Sequence, residues 1–245
     1  MQRYFIYLSY DGTRYHGWQI QPNGISVQET LEKALECLLR RPCPIVGAGR
    51  TDTGVHARMM TAHFDCEEPL ADCQDLAKRL NAFLPKDIAI GRICPVDAQM
   101  HARFSATRRT YEYHVCTVKD PFAEAYCLQV RPDTDFEAMN RAAALLTGFT
   151  DFTSFSKLHT DVKTNNCKIV EAIWRQVSPS HWVFTISADR FLRNMVRAIV
   201  GTLLEVGAHR MPPEGIVGVI EAKDRCQAGS SVPAKALFLT DVRYD

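Results

Sequence analysis

Residues 45–64 read IVGAGRTDTGVHARMMTAHF and place a charged, glycine-flanked loop between two apolar segments. The pair Ile45-Val46 precedes the loop, and an alternating apolar pattern that ends at Phe64 follows it. Asp and Gly are disfavoured inside helices and strands, so the charged part is not regular structure. The sequence therefore predicts two strands joined by a loop, which is a common location for chemistry.

The segments around these two strands complete a β-α-β-β-α-β order in the first half of the chain. Residues 26–29, Ser-Val-Gln-Glu, form a capping box that opens a helix with one apolar stripe. Pro42 and Pro44 are expected to end this helix, because proline cannot continue it. The predicted elements are strands over residues 3–10, 45–48, 59–64 and 88–96, a helix from residue 27, and a helix over residues 70–83.

The second half repeats this order of elements without a residue-level repeat. Asp135 is the expected N-cap of its first helix. The predicted elements are strands over residues 110–118, 166–177, 181–188 and 236–244, and helices over residues 136–146, 191–206 and 213–222. We therefore predict an α/β (α+β) fold of two ferredoxin-like, RRM-like βαββαβ halves, residues 1–99 and 100–245, with a mainly antiparallel sheet and an active-site cleft between the halves.

Composition excludes several classes of protein. Of the 245 residues, 46% are hydrophobic and 23% are charged, as in ordinary globular domains. No apolar run is long enough to span a membrane, and the first residues enter a strand pattern at once, so we expect a cytoplasmic protein. The nine cysteines are scattered and form no C-x-x-C, which predicts reduced thiols and no metal site.

The net charge of +1 argues against a nonspecific nucleic-acid binder. Acidic residues nevertheless concentrate at positions 65–68 and 72–75, so a basic face with a compensating acidic face would allow RNA binding. An even spread of solvated charge explains the composition equally well. The basic positions are Arg40, Arg41, Arg50, Arg58, Arg103, Arg108, Arg109, the stretch 157–168, Arg190, Arg193 and Arg197.

Asp52 is the candidate catalytic residue of the loop. A carboxylate beside a fixed cation such as Arg50 stays ionised, and this suits a nucleophile. The alternative is a turn Asp that caps its own backbone, and spacing alone leaves both possibilities open. A nucleotide-binding glycine loop is not expected, because Asp52 occupies the last position of G-x-G-x-x-G. His56, His63 and Asp65 are not expected to bind a metal, because His63 belongs to an alternating strand and no further ligand has suitable spacing.

Two further segments carry candidate binding residues. In a strand, Arg109, Tyr111 and Tyr113 share one face, which could stack a base and bind its phosphate, or could simply be a half-buried strand. In a helix over residues 191–201, Arg193 and Arg197 would lie on one edge, where they could share an anion or form a surface pair.

Four segments together resemble one family, the tRNA pseudouridine synthase A family. Residues 49–57 resemble its G-R-T-D-x-G-V-H-A signature, and residues 109–113, preceded by H-A-R-F-S-A at 101–106, resemble its R-x-Y-x-Y motif. Residues 191–201 resemble F-x-x-x-M-V-R-x-I-V-G, and residues 10–21 resemble Y-D-G-x-x-Y-x-G-W-Q-x-Q. We expect the last segment to have a structural role as a loop anchored by aromatic residues.

The resemblance implies an enzyme that isomerises uridine to pseudouridine at positions 38, 39 and 40 of the tRNA anticodon stem-loop, as a homodimer and without a cofactor. It also implies Asp52 as nucleophile, Arg197 as the partner of Asp52, and Tyr111 as the residue that stacks on the uracil. Arg50 would face the vacated base stack, and Lys and Arg side chains around the cleft would bind phosphates. The remaining phosphate-binding candidates are Arg103, Arg109 and Arg193.

Two functions from other classes compete with this interpretation. A noncatalytic RNA-binding protein with tandem RRM-like sheets fits the element order, but the RNP1 signature is absent from the sequence. A metal-dependent RNA hydrolase would need clustered carboxylates, and the sequence offers none at suitable spacing.

Overall fold

The computed structural model describes residues 1–157 and 164–244, so part of the basic stretch 157–168 and the last residue of the predicted second half lie outside the described residues. The chain forms two units, Met1–Thr107 with Leu239–Asp245, and Arg108–Phe238. These units differ in extent from the halves 1–99 and 100–245, and the domain division stays a prediction. In the part of the chain that the structure describes, no helix is long and apolar enough to cross a membrane.

The first unit has the predicted β-α-β-β-α-β order. Its elements are β1 (Gln2–Tyr10), α1 (Val27–Leu39), β2 (Val46–Gly47), β3 (His56–Cys66), α2 (Cys73–Phe83) and β4 (Ile88–Val96). The strand order is β4-β1-β3, and β2 also pairs with β3. Every one of these pairings is antiparallel. Strands β1 and β2 therefore run parallel with β3 between them, which is the split β-α-β arrangement of ferredoxin-like folds.

Side-chain caps set the helix boundaries of this unit. The Ser26 hydroxyl accepts a hydrogen bond from the N–H of Glu29 at 3.1 Å, as the capping box predicted. Helix α1 ends before the prolines, because Arg40 adopts a left-handed conformation with φ 55°. Helix α2 begins three residues later than predicted, since Asp72 accepts the N–H groups of Gln74 and Asp75.

His63 in β3 holds the chain segment that leaves the first unit. The N–H of Ala102 donates to Nδ1 of His63 at 3.1 Å, and Arg3 donates to the carbonyl of Met100 at 3.0 Å. Arg3 also binds both carboxylate oxygens of Asp65 at 2.8 Å. Burial, followed by the charges of Arg3 and His101, lowers the pKa of His63 to about 4. The side chain therefore stays neutral and acts as an acceptor at neutral pH.

The second unit is built around a three-stranded antiparallel core. Its elements are β5 (Arg108–Cys116), β6 (Leu128–Gln129), α3 (Phe136–Leu145), β7 (Ile169–Ser178), β8 (His181–Ala188), α4 (Met195–Gly207) and α5 (Gly215–Glu221). The strand order is β5-β8-β7, and the short strand β6, which was not predicted, runs parallel to β5. The last strand, β9 (Leu237–Arg243), begins here and belongs to the first unit from Leu239. The predicted mixed fold with a mainly antiparallel sheet is confirmed.

Aromatic rings fill the space between α3 and the sheet of the second unit. Phe136 stacks on Trp182 at 4.0 Å between ring centroids and meets Trp174 edge-on at 5.5 Å. Trp174 in turn contacts Phe184 across the β7–β8 pairing, at 5.1 Å. Aromatic contacts of this kind contribute about 0.5–1.5 kcal/mol each beyond the burial of their area.

An asparagine from a helix binds the outermost strand in each unit. In the first unit, Asn81 of α2 donates to the carbonyl of Ile90 in β4 at 2.8 Å and accepts its N–H at 2.7 Å. In the second unit, Asn140 of α3 makes the same two bonds with Trp174 in β7, at 3.0 and 2.7 Å. These side-chain amides occupy main-chain groups that a neighbouring strand would otherwise bind.

Helix α4 begins later than predicted and depends on one glycine. The helix was expected from residue 191, but Asn194 has φ 66°, so the helix starts at Met195. A Cβ atom on Gly201 would overlap the carbonyl oxygen of Ser230. The absence of a side chain at Gly201 therefore lets the chain around Ser230 lie directly against the helix.

The titration of His63 predicts a pH dependence of stability. Because its folded pKa lies below the ordinary value of 6.5, the unfolded chain binds a proton first as pH falls. Its contribution is complete above pH 6.5 and decreases as pH falls to about 4. His63→Gln keeps an acceptor for Ala102 but cannot titrate, so its unfolding free energy should fall less over this range. Urea unfolding of both proteins at several pH values checks this.

The titration of Asp65 does not affect the comparison between the wild type and His63→Gln. Its pKa is lowered from 3.8 by the hydrogen bond from Arg3, so its contribution is lost only at more acidic pH. Parallel pH profiles for the wild type and His63→Gln would contradict the assignment to His63.

Gly201 and Gly218 form a matched pair for testing the contact at α4. Gly201→Ala should lower the unfolding free energy by about 1–3 kcal/mol, because the new methyl group overlaps Ser230. A Cβ on Gly218 in α5 meets no atom within 4 Å, so Gly218→Ala should raise stability by up to about 1 kcal/mol. Urea unfolding measures both. Equal stabilities of the two variants would show that the chain near Ser230 does not press against the helix.

Candidate active site

The loop that carries Asp52 is held by hydrogen bonds from the N-terminal segment. The hydroxyl groups of Tyr10 and Thr51 lie 2.9 Å apart, and the N–H of Trp18 donates to the carbonyl of Thr51 at 3.3 Å. The N–H of Gly54 donates to the carbonyl of Tyr15 at 3.3 Å. The loop therefore has fixed main-chain partners on both sides of Asp52, which pre-organises it.

Glycines make this close approach of two chain segments possible. Gly17 has φ +84°, and a Cβ there would overlap the carbonyl oxygen of Thr51. A Cβ on Gly12 would overlap the carbonyl oxygen of Val55 on the other side of the loop. These contacts support the structural role predicted for residues 10–21.

Asp52 is half-buried at the start of a tight turn. The turn is closed by the N–H of Val55, which donates to the carbonyl of Asp52 at 3.1 Å. A turn-capping Asp typically binds the N–H two residues later. In this turn that N–H belongs to Gly54, and it donates to the carbonyl of Tyr15. The main chain of the turn is therefore held by the N-terminal segment. The neighbouring Arg50 is exposed.

The two histidines of β3 hold main-chain groups around this loop and the following segment. The buried His56 has Nδ1 3.0 Å from the N–H of Gly12 and 3.0 Å from a carboxylate oxygen of Asp11. A neutral Nδ1 accepts from Gly12, whereas a protonated one donates to Asp11. His63 accepts the N–H of Ala102, as described above. Each imidazole therefore serves to position the main chain.

Tyr111 and Tyr113 share one face of β5 but have different surroundings. Their partners in β8 are Ile186 and Phe184. Tyr113 is fully buried, its hydroxyl donates to a main-chain carbonyl at 3.0 Å, and burial raises its pKa. Tyr111 is half-buried, and its ring meets Phe191 edge-on at 5.2 Å and an interplanar angle of 90°. Tyr111 is thus the tyrosine of this pair that keeps partial exposure. Phe191 was not singled out from the sequence as its neighbour.

The predicted phosphate-binding arginines lie in different local structures. Arg109 donates to the carbonyl of Asp189 at 2.6 Å. Arg103 is exposed, with its guanidinium 5.5 Å from the centre of the Phe104 ring. Arg193 is exposed in the turn before α4, so the predicted helical stacking of Arg193 on Arg197 is wrong. The left-handed conformation of Asn194 interrupts the helix between them.

Arg197 lies in the first turn of α4, and Val232 binds both its side chain and its main chain. Its Nε donates to the carbonyl of Val232 at 2.7 Å, and the N–H of Val232 donates to the carbonyl of Arg197 at 3.2 Å. Asn194 and Arg225 both bind the hydroxyl of Ser231, at 2.6 and 2.9 Å. The sequence analysis did not identify the segment around Ser231 and Val232 as a support for Arg197. Its one indication in the sequence was Gly201, which lets this segment lie against α4.

The structure therefore presents the predicted residues in two groups. Asp52 and Arg50 lie in the braced loop of the first unit, and Arg103 lies in a turn of the same unit. The other four lie in the second unit, where each is fixed by a strand, a turn or a helix start. These four are Arg109, Tyr111, Arg193 and Arg197. The pairing of Asp52 with Arg197 stays a prediction.

Comparison with known proteins identifies the family. A family model described as tRNA pseudouridine synthase matches residues 6–105 and 142–245. The chain is 62% identical to tRNA pseudouridine synthase A of Parabacteroides distasonis, over all of this chain and 96% of that protein. It is 57% identical to the protein of that name from Bacteroides fragilis and 38% identical to that from an Exiguobacterium species, covering 97% and 99% of those proteins. The chain belongs to the tRNA pseudouridine synthase family.

Proposed function

We propose that this protein isomerises uridine to pseudouridine at positions 38, 39 and 40 of the tRNA anticodon stem-loop. The observation that carries the proposal is the rigid placement of Asp52 in a loop whose main chain is held from both sides. Relatives named tRNA pseudouridine synthase A, at 56–62% identity over the whole chain, support the same conclusion.

In this reaction the C1′–N1 bond of the nucleotide breaks, the uracil turns, and a C1′–C5 bond forms. The proton on C5 is lost and a proton is regained at N1, so substrate and product are isomers. No electron or group is transferred to a second molecule, and therefore the reaction needs no organic cofactor. Asp52 acts as the nucleophile, either at C1′ as in retaining glycosidases or by deprotonation of or addition to the sugar or base.

Arg197 orients the Asp52 carboxylate as its ion-pair partner. A guanidinium presents its N–H donors in a fixed planar arrangement. The hydrogen bond from Nε to the carbonyl of Val232 sets the direction of the two terminal amino groups. This support would matter for catalysis, because a small error in placing a reacting group reduces the rate strongly.

Tyr111 stacks on the uracil of the reacting nucleotide. The half-buried ring is fixed edge-on by Phe191, which leaves it with a set orientation. Stacking on an aromatic side chain contributes about 1–3 kcal/mol per base. The stack would hold the base while it is detached from the sugar.

The tRNA must release the target base from its helix before it can react. Arg50, which is exposed beside Asp52, occupies the space that the base leaves. Arg103, Arg109 and Arg193 bind phosphates, so the affinity for tRNA decreases with salt. The protein acts in the cytoplasm as a homodimer.

Asp52→Asn tests the nucleophile on unmodified tRNA that carries uridine at position 39. The variant should fold and bind tRNA as the wild type does, but its pseudouridine formation should fall by at least about 1,000-fold, because an amide is not a nucleophile here. Asp97→Asn is the matched control in an exposed turn, where the amide oxygen can still accept from Gln99, and it should keep the wild-type rate.

Clear turnover by Asp52→Asn would remove Asp52 from the nucleophile role. A wild-type protein that binds tRNA tightly and with salt sensitivity, but makes no pseudouridine, would support the RNA-binding module instead.

Arg197→Lys tests the orienting cation. The variant keeps the charge but loses the fork and the bond from Nε to Val232, so we expect kcat to fall at least about 10-fold with tRNA affinity nearly unchanged. Arg225→Lys is the control, because Arg225 binds the carbonyls of Ala228 and Gly229 in the same supporting segment, both at 3.2 Å. Single-turnover rates and filter binding separate the two effects. If Arg225→Lys lowers kcat as much, the segment and not the guanidinium fork is responsible.

A further inference from the structure

Two buried cysteines and the half-buried His181 form a cluster in the second unit, with the buried His114 beside it, apart from the residues assigned above. The ligand atoms of Cys116, Cys127 and His181 all lie within 4.8 Å of one another. Sγ of Cys116 is 2.9 Å from Sγ of Cys127, which is 3.6 Å from Nε2 of His181. Nδ1 of His114 lies 3.1 Å from the same Nε2 atom. Three ligand atoms thus converge, and His114 lies beside them through its contact with His181.

The fold brings these residues together from three chain segments. Cys116 at the end of β5 is paired directly with His181 at the start of β8. His114 precedes Cys116 by two residues and so projects from the same face of the sheet. Cys127 comes immediately before β6, which runs beside β5 and pairs Cys116 with Gln129. His114 and Cys116 are therefore the one closely spaced pair of the cluster, whereas Cys127 and His181 are distant in sequence, and our expectation of no metal site rested on the spacing of the cysteines.

His114 has the surroundings of a metal-binding histidine. Its Nδ1 faces the cluster, whereas its Nε2 lies 3.4 Å from a carboxylate oxygen of Glu112. This buried Nε2 makes no hydrogen bond at normal distance. Histidines that bind metals usually direct their second nitrogen to a carboxylate, which fixes the tautomer and strengthens the ligand. Glu112 is suitably placed for this supporting role.

The interatomic distances are close to those around a tetrahedral Zn²⁺ ion. Bonds of about 2.3 Å to sulfur and about 2.05 Å to nitrogen place the ligand atoms about 3.8 Å apart for S–S, about 3.6 Å for S–N and about 3.4 Å for N–N. The distance of 3.6 Å from Cys127 to His181 fits this pattern, and the distance of 3.1 Å from His114 to His181 is about 0.3 Å short of it. The two sulfur atoms, at 2.9 Å, would have to separate by about 0.9 Å, which side-chain rotation can supply.

The charge and burial of the cluster favour a soft divalent ion. Cys116, Cys127 and His114 are buried, and the ring of Phe238 covers His114 at 5.0 Å. Two thiolates neutralise one divalent cation, so the ion and its sulfur ligands would carry no net charge at this position, where only His181 is half-buried. Thiolate and imidazole ligands select Zn²⁺ over Mg²⁺ or Ca²⁺, which prefer oxygen.

We propose that Cys116, Cys127 and His181 bind one Zn²⁺ ion in a structural site, which His114 completes as the fourth, tetrahedral ligand after rotation of its side chain. The site links the ends of β5 and β8 to the segment before β6. Its ligands on β5 alternate with Tyr111 and Tyr113, so it lies on the opposite face of that strand from the tyrosine proposed to stack on uracil. The ion therefore stabilises the second unit and takes no part in the isomerisation.

Binding of Co²⁺ to metal-free wild-type protein tests the site without any substitution. Protein purified under reducing conditions is stripped of metal, and Co²⁺ is added anaerobically. We expect about one equivalent to bind, with the intense d–d bands of tetrahedral cobalt and a thiolate-to-cobalt charge-transfer band, both displaced by Zn²⁺. Absence of the charge-transfer band would overturn the proposal.

Cys127→Ala and Cys167→Ala provide a matched pair, because both replace a buried thiol of the second unit and only the first removes a ligand. Cys127→Ala should bind Zn²⁺ at least about 100-fold more weakly, whereas Cys167→Ala should stay within about 2-fold of wild type. Elemental analysis and competition with a chelator measure both, and circular dichroism checks folding. Equal loss from both variants, or a Cys116–Cys127 disulfide that persists in intact-mass spectra under the reducing conditions, would overturn the assignment.

Discussion

The structure of the candidate site depends on the main-chain hydrogen bonds between the N-terminal segment and the loop around Asp52. A charged loop without regular structure cannot satisfy its own backbone groups, so its partners must come from elsewhere. Trp18 and Tyr15 supply main-chain partners, and Tyr10 supplies a hydroxyl. Gly17 makes the approach possible, because any side chain there would occupy the position of the Thr51 carbonyl. The loop is therefore rigid although it has no helical or strand structure.

In the second unit, a charged side chain is likewise held by a non-helical segment. Arg197 begins a helix, and its orientation comes from a non-helical segment that contains Val232. Gly201, one helical turn farther on, allows that segment to lie against the helix. In each unit a glycine lets a second chain segment come close enough to hold the residue that carries the charge.

Most of the fold followed from periodicity and caps, because these signals are local. Ser26 and Asp135 cap the helices predicted for them, and the β-α-β-β-α-β order of the first half is observed. The start of α4 was predicted wrongly, since nothing in an apolar helical pattern reveals a left-handed Asn194. Strand β6 was too short to show alternation. The roles of the candidate residues came from a resemblance. Cys127 and His181 could not be placed beside Cys116 from spacing, because only the tertiary structure brings them together.

The asparagines on the outer strands have a consequence for assembly. β4 and β7 end the strand orders of their units, and each offers a main-chain donor and acceptor that a strand of a second molecule could bind. Asn81 and Asn140 occupy these groups at Ile90 and Trp174. Addition of a strand to β4 or β7 is therefore disfavoured at these two residues. A strand of a second molecule finds no free main-chain donor or acceptor at Ile90 or at Trp174.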